Sequence, residues 1–542
     1  MLSMMMNRPL SIIEILQYAA QNHLGAEVVS VRTEGDLHRQ DYAQTYRRAA
    51  QLAHALAKLG VTQGDRVATL AWNGHRHLEL YYAISGMGAV CHTINPRLSA
   101  EQMTYIVGHA EDRLLCLDVT FVPIIEALRD HLPAGLIFVV MTDRAHMPEA
   151  ARDMLCYEDL LDGQPDTYDW PDLPEETAAA LCYTSGTTGN PKGALYSHRS
   201  TVLHAFYCAV TIPRSLHEGA RILPVVPMFH VNSWGLPYSG PLVGMSMIMP
   251  GAKLDGGSLY DLMQSEGVTA SWGVPTVWLG LVAEIAKRGV KPSQLVQLGI
   301  GGSAVPRSMI ETFEGFGIDV AHAWGMTEMS PLGTHGQVPA GLRDLSESER
   351  IDMKVTQGRR IFGVDLKIVD ETGAPLPHDG VAQGALFVRG NAVISGYYNN
   401  PDATQAAMDA DGWFGTDDVA RIDPRGFVTL VDRTKDLIKS GGEWISSIDL
   451  ENVVMAHENV ANCAVIAVPH AKWGERPLLI VVPTGAPPSK DAIDALLLEH
   501  VAKWQLPDDM VLVEALPLTA TGKVSKLQLR AQFTNHVLPG VG

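Results

Sequence analysis

The sequence has little that would tie it to a membrane, a nucleic acid or a disulfide framework. Its most apolar internal stretch, near Pro241 to Pro250, falls far short of the roughly 20 residues that span a bilayer, and Met1 to Leu10 carries no long apolar core behind a basic end. Positive charge is scarce: 41 Lys and Arg stand against 60 Asp and Glu, a formal charge of -19 that repels a phosphate backbone over most of the surface. A nucleic-acid partner is thereby disfavoured. A phosphorylated small molecule is not, because local donors and a metal ion can hold phosphates inside an acidic protein. Cysteines are few, at 91, 116, 156, 182, 208 and 463, and none forms a C-x-x-C pair, so zinc and redox chemistry are not indicated and buried reduced thiols are expected. Internal repeats and low-complexity tracts are also lacking. These absences predict a soluble, cytoplasmic protein.

What is present is globular: 46% hydrophobic and 19% charged residues over 542 positions, too long for one ordinary core. From Asp41 to Leu59 apolar positions recur at helical spacing, with Gly60 as a stop. Short apolar runs follow at Val67 to Ala71, Leu114 to Leu117, Leu136 to Met141, Ala179 to Tyr183 and Ile222 to Val226, alternating with helical patterns. That alternation predicts an α/β fold of helix-covered parallel sheets. After about residue 360, short strands such as Leu366 to Val369 and Ala385 to Val388 lie between Gly- and Pro-rich turns and predict an antiparallel, barrel-like subdomain. Beyond the charged segment Asp432 to Asp436 an αββαβ-like pattern predicts a small α+β domain, dividing the chain into 1–434 and 435–542.

The chemistry is carried by short motifs. Tyr183-Thr184-Ser185-Gly186-Thr187-Thr188-Gly189-Asn190-Pro191-Lys192-Gly193 follows an apolar strand. Its hydroxyls and Gly amides can close around phosphate oxygens, with Lys192 adding positive charge. Pro191 stands where a Walker loop needs glycine before the lysine. This string closely resembles the phosphate loop of the adenylate-forming superfamily, which contains acyl-CoA synthetases, luciferases and peptide-synthetase adenylation domains, and the resemblance covers nearly the whole chain.

Further motifs extend it. Ala323-Trp324-Gly325-Met326-Thr327-Glu328 resembles the family's adenine and magnesium motif, with Trp324 where tyrosine is more usual. An aromatic face can stack on adenine, and the hard oxygens of Glu328 suit Mg²⁺. Gly301-Gly302-Ser303 resembles the loop on the nucleotide's other face, although a Gly pair alone reads equally as a tight turn. Gly412 to Asp418 resembles the ribose motif, with Asp417 where glycine is usual, which implies that Asp418 receives the ribose hydroxyls; an Asp pair is otherwise turn chemistry. Arg433 matches a second ribose contact and Lys435 the hinge of the small domain, positions where plain solvation is the alternative. Pro517 to Lys523 is similar to the segment carrying the catalytic lysine, so the resemblance implies that Lys523 bridges carboxylate and α-phosphate. Gly441, Gly442 and Glu443 would face the thioester site after the domain turns.

The resemblance thus implies an AMP-forming acyl-CoA synthetase using ATP, Mg²⁺ and coenzyme A. Thr184, His230, Glu328 and Lys523 are its expected catalytic residues, and His230, Trp234, Gly302 and Gly325 its substrate contacts. His230 stands where amino-acid-activating relatives carry an aspartate, which argues against an α-amino acid substrate. Met245, Met247 and Met249 suggest an adaptable apolar environment, or simply one face of a strand. Overall the chain looks most like the subgroup handling medium-chain fatty acids and the thioether acid methylmercaptopropionate. A CoA-independent adenylate-forming enzyme and a silent binding protein of the same fold stay open as alternatives, as does a homodimer.

Overall fold

The computed structural model describes residues 4–184, 190–342, 344–441, 443–519 and 523–539. Asp41 starts the first long helix, Tyr42–Lys58, with a reciprocal cap: its carboxylate accepts from Gln44 N while the Gln44 side chain accepts from Asp41 N. Leu52 and Leu56 on its inner face are buried. The next helix, His75–Gly86, is buried along its whole length. Its polar side chains are tolerated there because they are paired: Arg76 with Glu34 and Glu158, and Glu79 with Arg48, Gln40 and Tyr157.

Among the described residues the strands form three sheets. The first runs Leu155–Cys156, Ile137–Val140, Asp112–Leu117, Arg66–Leu70, Val90–Thr93, Ala178–Thr184 and Lys192–Ser197, parallel except for the last pair. The second has six parallel strands, among them Arg221–Pro224, Ala270–Gly273, Gln297–Ile300 and Asp319–Gly325. Across the antiparallel strand Leu332–Gly336 it continues into the antiparallel part expected after residue 360, built from Gly358–Arg360, Phe427–Arg433, Phe414–Ile422, Gly384–Gly390 and Val364–Val369. The antiparallel part is therefore an extension of the parallel sheet rather than an isolated layer.

The third sheet is small and local. Ile438–Ser440 and Glu443–Ile445 form a hairpin, followed by helix Ser447–Val454, strands Val460–His470 and Gly474–Pro483, helix Lys490–Leu498 and strand Asp509–Leu512. These last five elements reproduce the αββαβ order of the sequence pattern, and they enclose an apolar core of their own around Ile438, Val465, Leu479 and Ile493. All six cysteines are buried and free. No helix among the described residues is long and apolar enough to cross a membrane.

Candidate active site

Strands Ala178–Thr184 and Lys192–Ser197 pair antiparallel, with Thr184 opposite Lys192, so the two ends of the phosphate loop are held side by side. Ser185, Gly186, Thr187, Thr188 and Gly189 lie outside the described residues, as does Gly442. Thr184 and Lys192 both line a cavity of about 820 Å³, and the Lys192 ammonium sits 4.9 Å from the centre of the Tyr397 ring. That volume is at the upper end for a small-molecule cleft.

The parallel strands open into the same cavity at their C-terminal ends. After Gln297–Ile300 the chain passes Gly301 and Gly302, and the glycines are required by close approach: a Cβ on Gly301 would stand 2.8 Å from the Ala323 carbonyl oxygen and 3.2 Å from the Trp234 ring. One on Gly302 would stand 3.5 Å from Lys523 Cε. After Asp319–Gly325, Met326, Thr327 and Glu328 also line the cavity. Glu328 is buried; Tyr397 donates from its hydroxyl to Glu328 Oε1 at 2.7 Å, and Ile394 N donates to the Glu328 carbonyl at 2.9 Å. Burial pushes the Glu328 carboxyl above its ordinary range, against the pull of the Tyr397 hydroxyl. A buried carboxylate of this kind fits one ligand of Mg²⁺, which takes one or two protein oxygens and completes its shell with phosphates and water. The described residues contain no cluster of three His, Cys, Asp or Glu that would form an all-protein cage.

Trp324 donates from Nε1 to Asp418 Oδ2 at 2.9 Å, a bond that the tyrosine more usual here has no ring N–H to make in the same way. Arg433 reaches Asp418 Oδ1 at 3.6 Å. Asp418 is buried against Trp324 and Arg433, and its neighbour Asp417 lines the cavity. Asp417 has φ of 62°, in the left-handed region, which accounts for the glycine usual at this place and for the tolerance of an Asp.

His230 and Trp234 reach the cavity from an unusual turn. Val231, Asn232, Ser233 and Trp234 all have φ between 47° and 55°. Left-handed backbone costs roughly 1–2 kcal/mol per L-residue and persists only where surroundings enforce it. Here Ser233 Oγ donates to the Val226 carbonyl at 2.6 Å, and Asn232 Oδ1 accepts from Tyr81 OH and Cys182 Sγ. Burial, and then the Lys523 cation, lower the His230 pKa to about 3, so the imidazole is neutral at ordinary pH.

Lys523 comes from the other end of the chain. Thr519 N donates to the Lys523 carbonyl at 2.6 Å and Lys523 N to Thr519 Oγ1 at 3.2 Å, and the side chain enters the cavity. Burial, reinforced by Arg433 and opposed by Asp418 and Glu328, lowers its pKa to about 8. Arg433 and Lys435 line the same wall, as does Arg97, which no motif had singled out. Five cations thus converge on one cavity of an acidic protein, the arrangement a polyphosphate needs.

Several expected residues lie elsewhere. Ser303 is exposed and is not part of the lining. Gly441 and Glu443, expected at the thioester site only once the small domain turns, sit on the small-sheet hairpin, where Gly441 N donates to the Trp473 carbonyl at 2.7 Å. Met245, Met247 and Met249 are fully buried core residues, two of them packed on Gly240, and none lines the cavity, so the strand-face reading of these methionines holds. Tyr397, Trp272, Val274 and Leu332 line it without having been foreseen; each belongs to an apolar or turn segment with no charged signature.

Comparison with known proteins bears on this geometry. Residues 16–398 match the family described as AMP-binding enzyme, and residues 449–523 match the AMP-binding enzyme C-terminal domain. The chain is 49% identical over 536 residues to the 3-methylmercaptopropionyl-CoA ligase of Ruegeria lacuscaerulensis, covering 98% of this chain and 99% of that protein. It is 48% identical over 547 residues to the medium-chain-fatty-acid–CoA ligase of Ectopseudomonas oleovorans, covering 99% and 98%. Among solved structures, the anthranilate CoA ligase AuaEII in complex with anthranoyl-AMP has the same fold, with a TM-score of 0.87 over 97% of this chain and 98% of that one at 24% identity.

Proposed function

The chain belongs to the AMP-binding enzyme family and is an ATP-dependent, AMP-forming acid–thiol ligase, and within that chemistry we propose that Lys523, Glu328, Thr184 and Lys192 form its adenylation centre. The first half-reaction joins a carboxylate to the α-phosphate of ATP and releases pyrophosphate; the second transfers the acyl group to the CoA sulfur and releases AMP. The observation that carries the assignment is Lys523, whose Cε lies 3.5 Å from the position of a Cβ on Gly302 although the two residues are far apart in the sequence.

In this reading the Lys523 ammonium meets the carboxylate and the α-phosphate and offsets the charge that develops between them. Lys192 and Thr184 hold the outer phosphates. Glu328 would hold Mg²⁺, which supplies charge neutralisation on the phosphate oxygens when bound. Trp324 offers its face to adenine, held by its hydrogen bond to Asp418, while Asp418 and Arg433 meet the ribose. Neutral His230 borders the carboxylate without competing for it as a cation. A small domain, residues 435–542, turns about Lys435 between the half-reactions and takes Lys523 away, bringing the Gly441–Glu443 loop to the thioester site.

The acid is a medium-chain fatty acid or a short aliphatic or thioether acid such as methylmercaptopropionate. Apolar walls from Val226, Trp234, Val274 and Leu332 favour an aliphatic chain, and the two relatives named above act on acids of these kinds by their names. The test is pyrophosphate release from ATP across a panel of short, medium, aromatic and thioether acids, with and without CoA. Acyl-CoA formation is expected with aliphatic or thioether acids and only when CoA is present; turnover confined to aromatic acids would overturn the substrate assignment.

A further inference from the structure

Lys523 does not enter the cavity on a free arm. Leu518 and Val524 pair antiparallel, and Ser525 N donates to the Pro517 carbonyl at 2.7 Å, so the two ends of the segment that carries it are tied together. Helix Lys526–Gln532 begins directly after, and its Leu529 is buried in an apolar core of the small domain with Ile466 and Leu478. Lys526 thus opens the helix that supports the segment, three positions after Lys523.

A cation in the first turn of a helix faces the positive end of the dipole, so its place there calls for another partner. The Lys526 ammonium, on a side chain only 13% exposed, lies 2.7 Å from Glu451 Oε1 and donates to Ser447 Oγ. Ser447 Oγ donates in turn to Asp432 Oδ2 at 2.5 Å, and Ser447 N donates to the same oxygen at 2.7 Å. Burial works against the Lys526 charge, but Glu451 and then Asp432 outweigh it and raise its pKa, so the ammonium is kept.

This relay crosses between two bodies. Lys526, Ser447 and Glu451 belong to the small domain, whereas Asp432 lies on strand Phe427–Arg433 of the second sheet, in register with Val419. Asp432 is 2% exposed, and a carboxylate so buried is costly unless it is paired. Its Oδ1 accepts from the neighbouring Arg433 N at 2.8 Å, but both hydrogen bonds to Oδ2 come from Ser447, across the joint.

We propose that Asp432 and Lys526 are positioning residues, clasping the small domain to the large one in the orientation that puts Lys523 in the cavity, and that this clasp opens before acyl transfer. The proposal rests on the reading of Lys435 as the hinge. A turn about residue 435 leaves Asp432 with the second sheet and carries Ser447, Glu451 and Lys526 away together, so the relay belongs to the adenylating orientation alone. ATP and the acid meet walls built by the large sheet. Loss of the clasp therefore changes how often Lys523 is in place rather than how tightly the substrates are held.

The experiment measures each half-reaction in Lys526→Met, Lys526→Arg and Asp432→Asn of the full chain. In Lys526→Met, kcat for pyrophosphate release should fall roughly 10-fold, the worth of one charge-assisted hydrogen bond, with KM for ATP and acid within about two-fold of native. Transfer from a prepared acyl-adenylate to CoA should keep the native rate or exceed it. Lys526→Arg should recover most of the loss, and Asp432→Asn should reproduce it from the other side of the joint. Equal losses in both half-reactions, or none in either, would overturn the proposal; should Lys526→Met fail to fold, Asp432→Asn decides by the same split. A second readout is independent of activity. Spin labels at Glu149→Cys and Val537→Cys, both exposed while the six native cysteines are buried, should give one narrow distance in the otherwise native chain and a broadened or second one with Lys526→Met or Asp432→Asn. An unchanged distance in both variants overturns the clasp. If Lys523→Ala slows both half-reactions alike, the hinge reading fails instead, and the label distances still decide whether Asp432 and Lys526 hold the two domains together.

Discussion

At Glu328 the hydrogen bond from Tyr397 and burial pull the carboxyl in opposite directions. The Tyr397 hydroxyl favours the ionised carboxyl, whereas burial favours the protonated one. Glu328→Gln, which keeps the volume but removes the anionic oxygen, should leave the protein folded and slow adenylation by about 100-fold or more. Tyr397→Phe should be milder, raising the Mg²⁺ concentration needed for half-maximal rate without changing the acid profile. Titration of both variants with Mg²⁺ checks this; an unchanged requirement in each would remove Glu328 from the metal site. Lys523 makes a second prediction. Loss of a donor that meets transition-state charge is typically worth about 100- to 1,000-fold, so Lys523→Ala should nearly abolish adenylation. Fed a prepared acyl-adenylate and CoA, the same variant should form acyl-CoA at close to the native rate; equal losses in both assays would refute the division of labour. The folded pKa of about 8 also fixes a sign. The active ammonium is complete below that value, so the native adenylation rate should fall as pH rises through about 8, not through the ordinary lysine range near 10.5. Bound substrate anions will move the midpoint upward.

At the scale of elements, the left-handed turn from Val231 to Trp234 is the least expected part of the fold and the most exposed to substitution. Trp234 lines the cavity and is only half-buried, so its removal does not open a sealed core void. Glycine at this place also relieves a left-handed residue of about 1–2 kcal/mol. Trp234→Gly should therefore cost about 1–2 kcal/mol in stability, less than the 3–5 of a fully buried tryptophan, while shifting relative activity toward longer acids. Urea unfolding together with the chain-length profile checks both halves. A large stability loss with an unchanged profile would make Trp234 a packing residue only.

Across the whole molecule the decisive contact is between the large sheet and the C-terminal part of the chain. Lys523 enters a cavity built by the large sheet, while Asp432 binds Ser447 N and Oγ, Ser446 Oγ donates to the Val431 carbonyl, and Arg530 pairs with Asp436 at 2.5 Å. These contacts flank Lys435, the one lysine of this joint that lines the cavity. If residue 435 is the hinge, Lys435→Pro, which fixes its φ, should leave adenylation within a few-fold of native and slow acyl transfer to CoA strongly. Single-turnover measurement of each half-reaction separates the two effects. Slowing of adenylation alone would count against the hinge.

The amino-acid sequence by itself determined the local chemistry. The alternation of apolar runs and helices, the αββαβ order of the last hundred residues and the order of the motifs from Thr184 to Lys523 all depend on neighbours a few residues apart. Hydrogen-bond and burial preferences act at that range, so they are written in the string. Only the tertiary structure decided which residues share a wall. It tied Asp418 to the Trp324 indole and put Asp417 in the cavity wall, sent the three methionines into the core, and added Arg97, Tyr397, Trp272 and His335 to the cavity. It also forced Val231 to Trp234 into a left-handed turn that, of these four residues, only Asn232 tolerates readily. Contacts across hundreds of residues, such as Lys523 beside Gly302, arise from sheet register and domain docking, which no local pattern encodes.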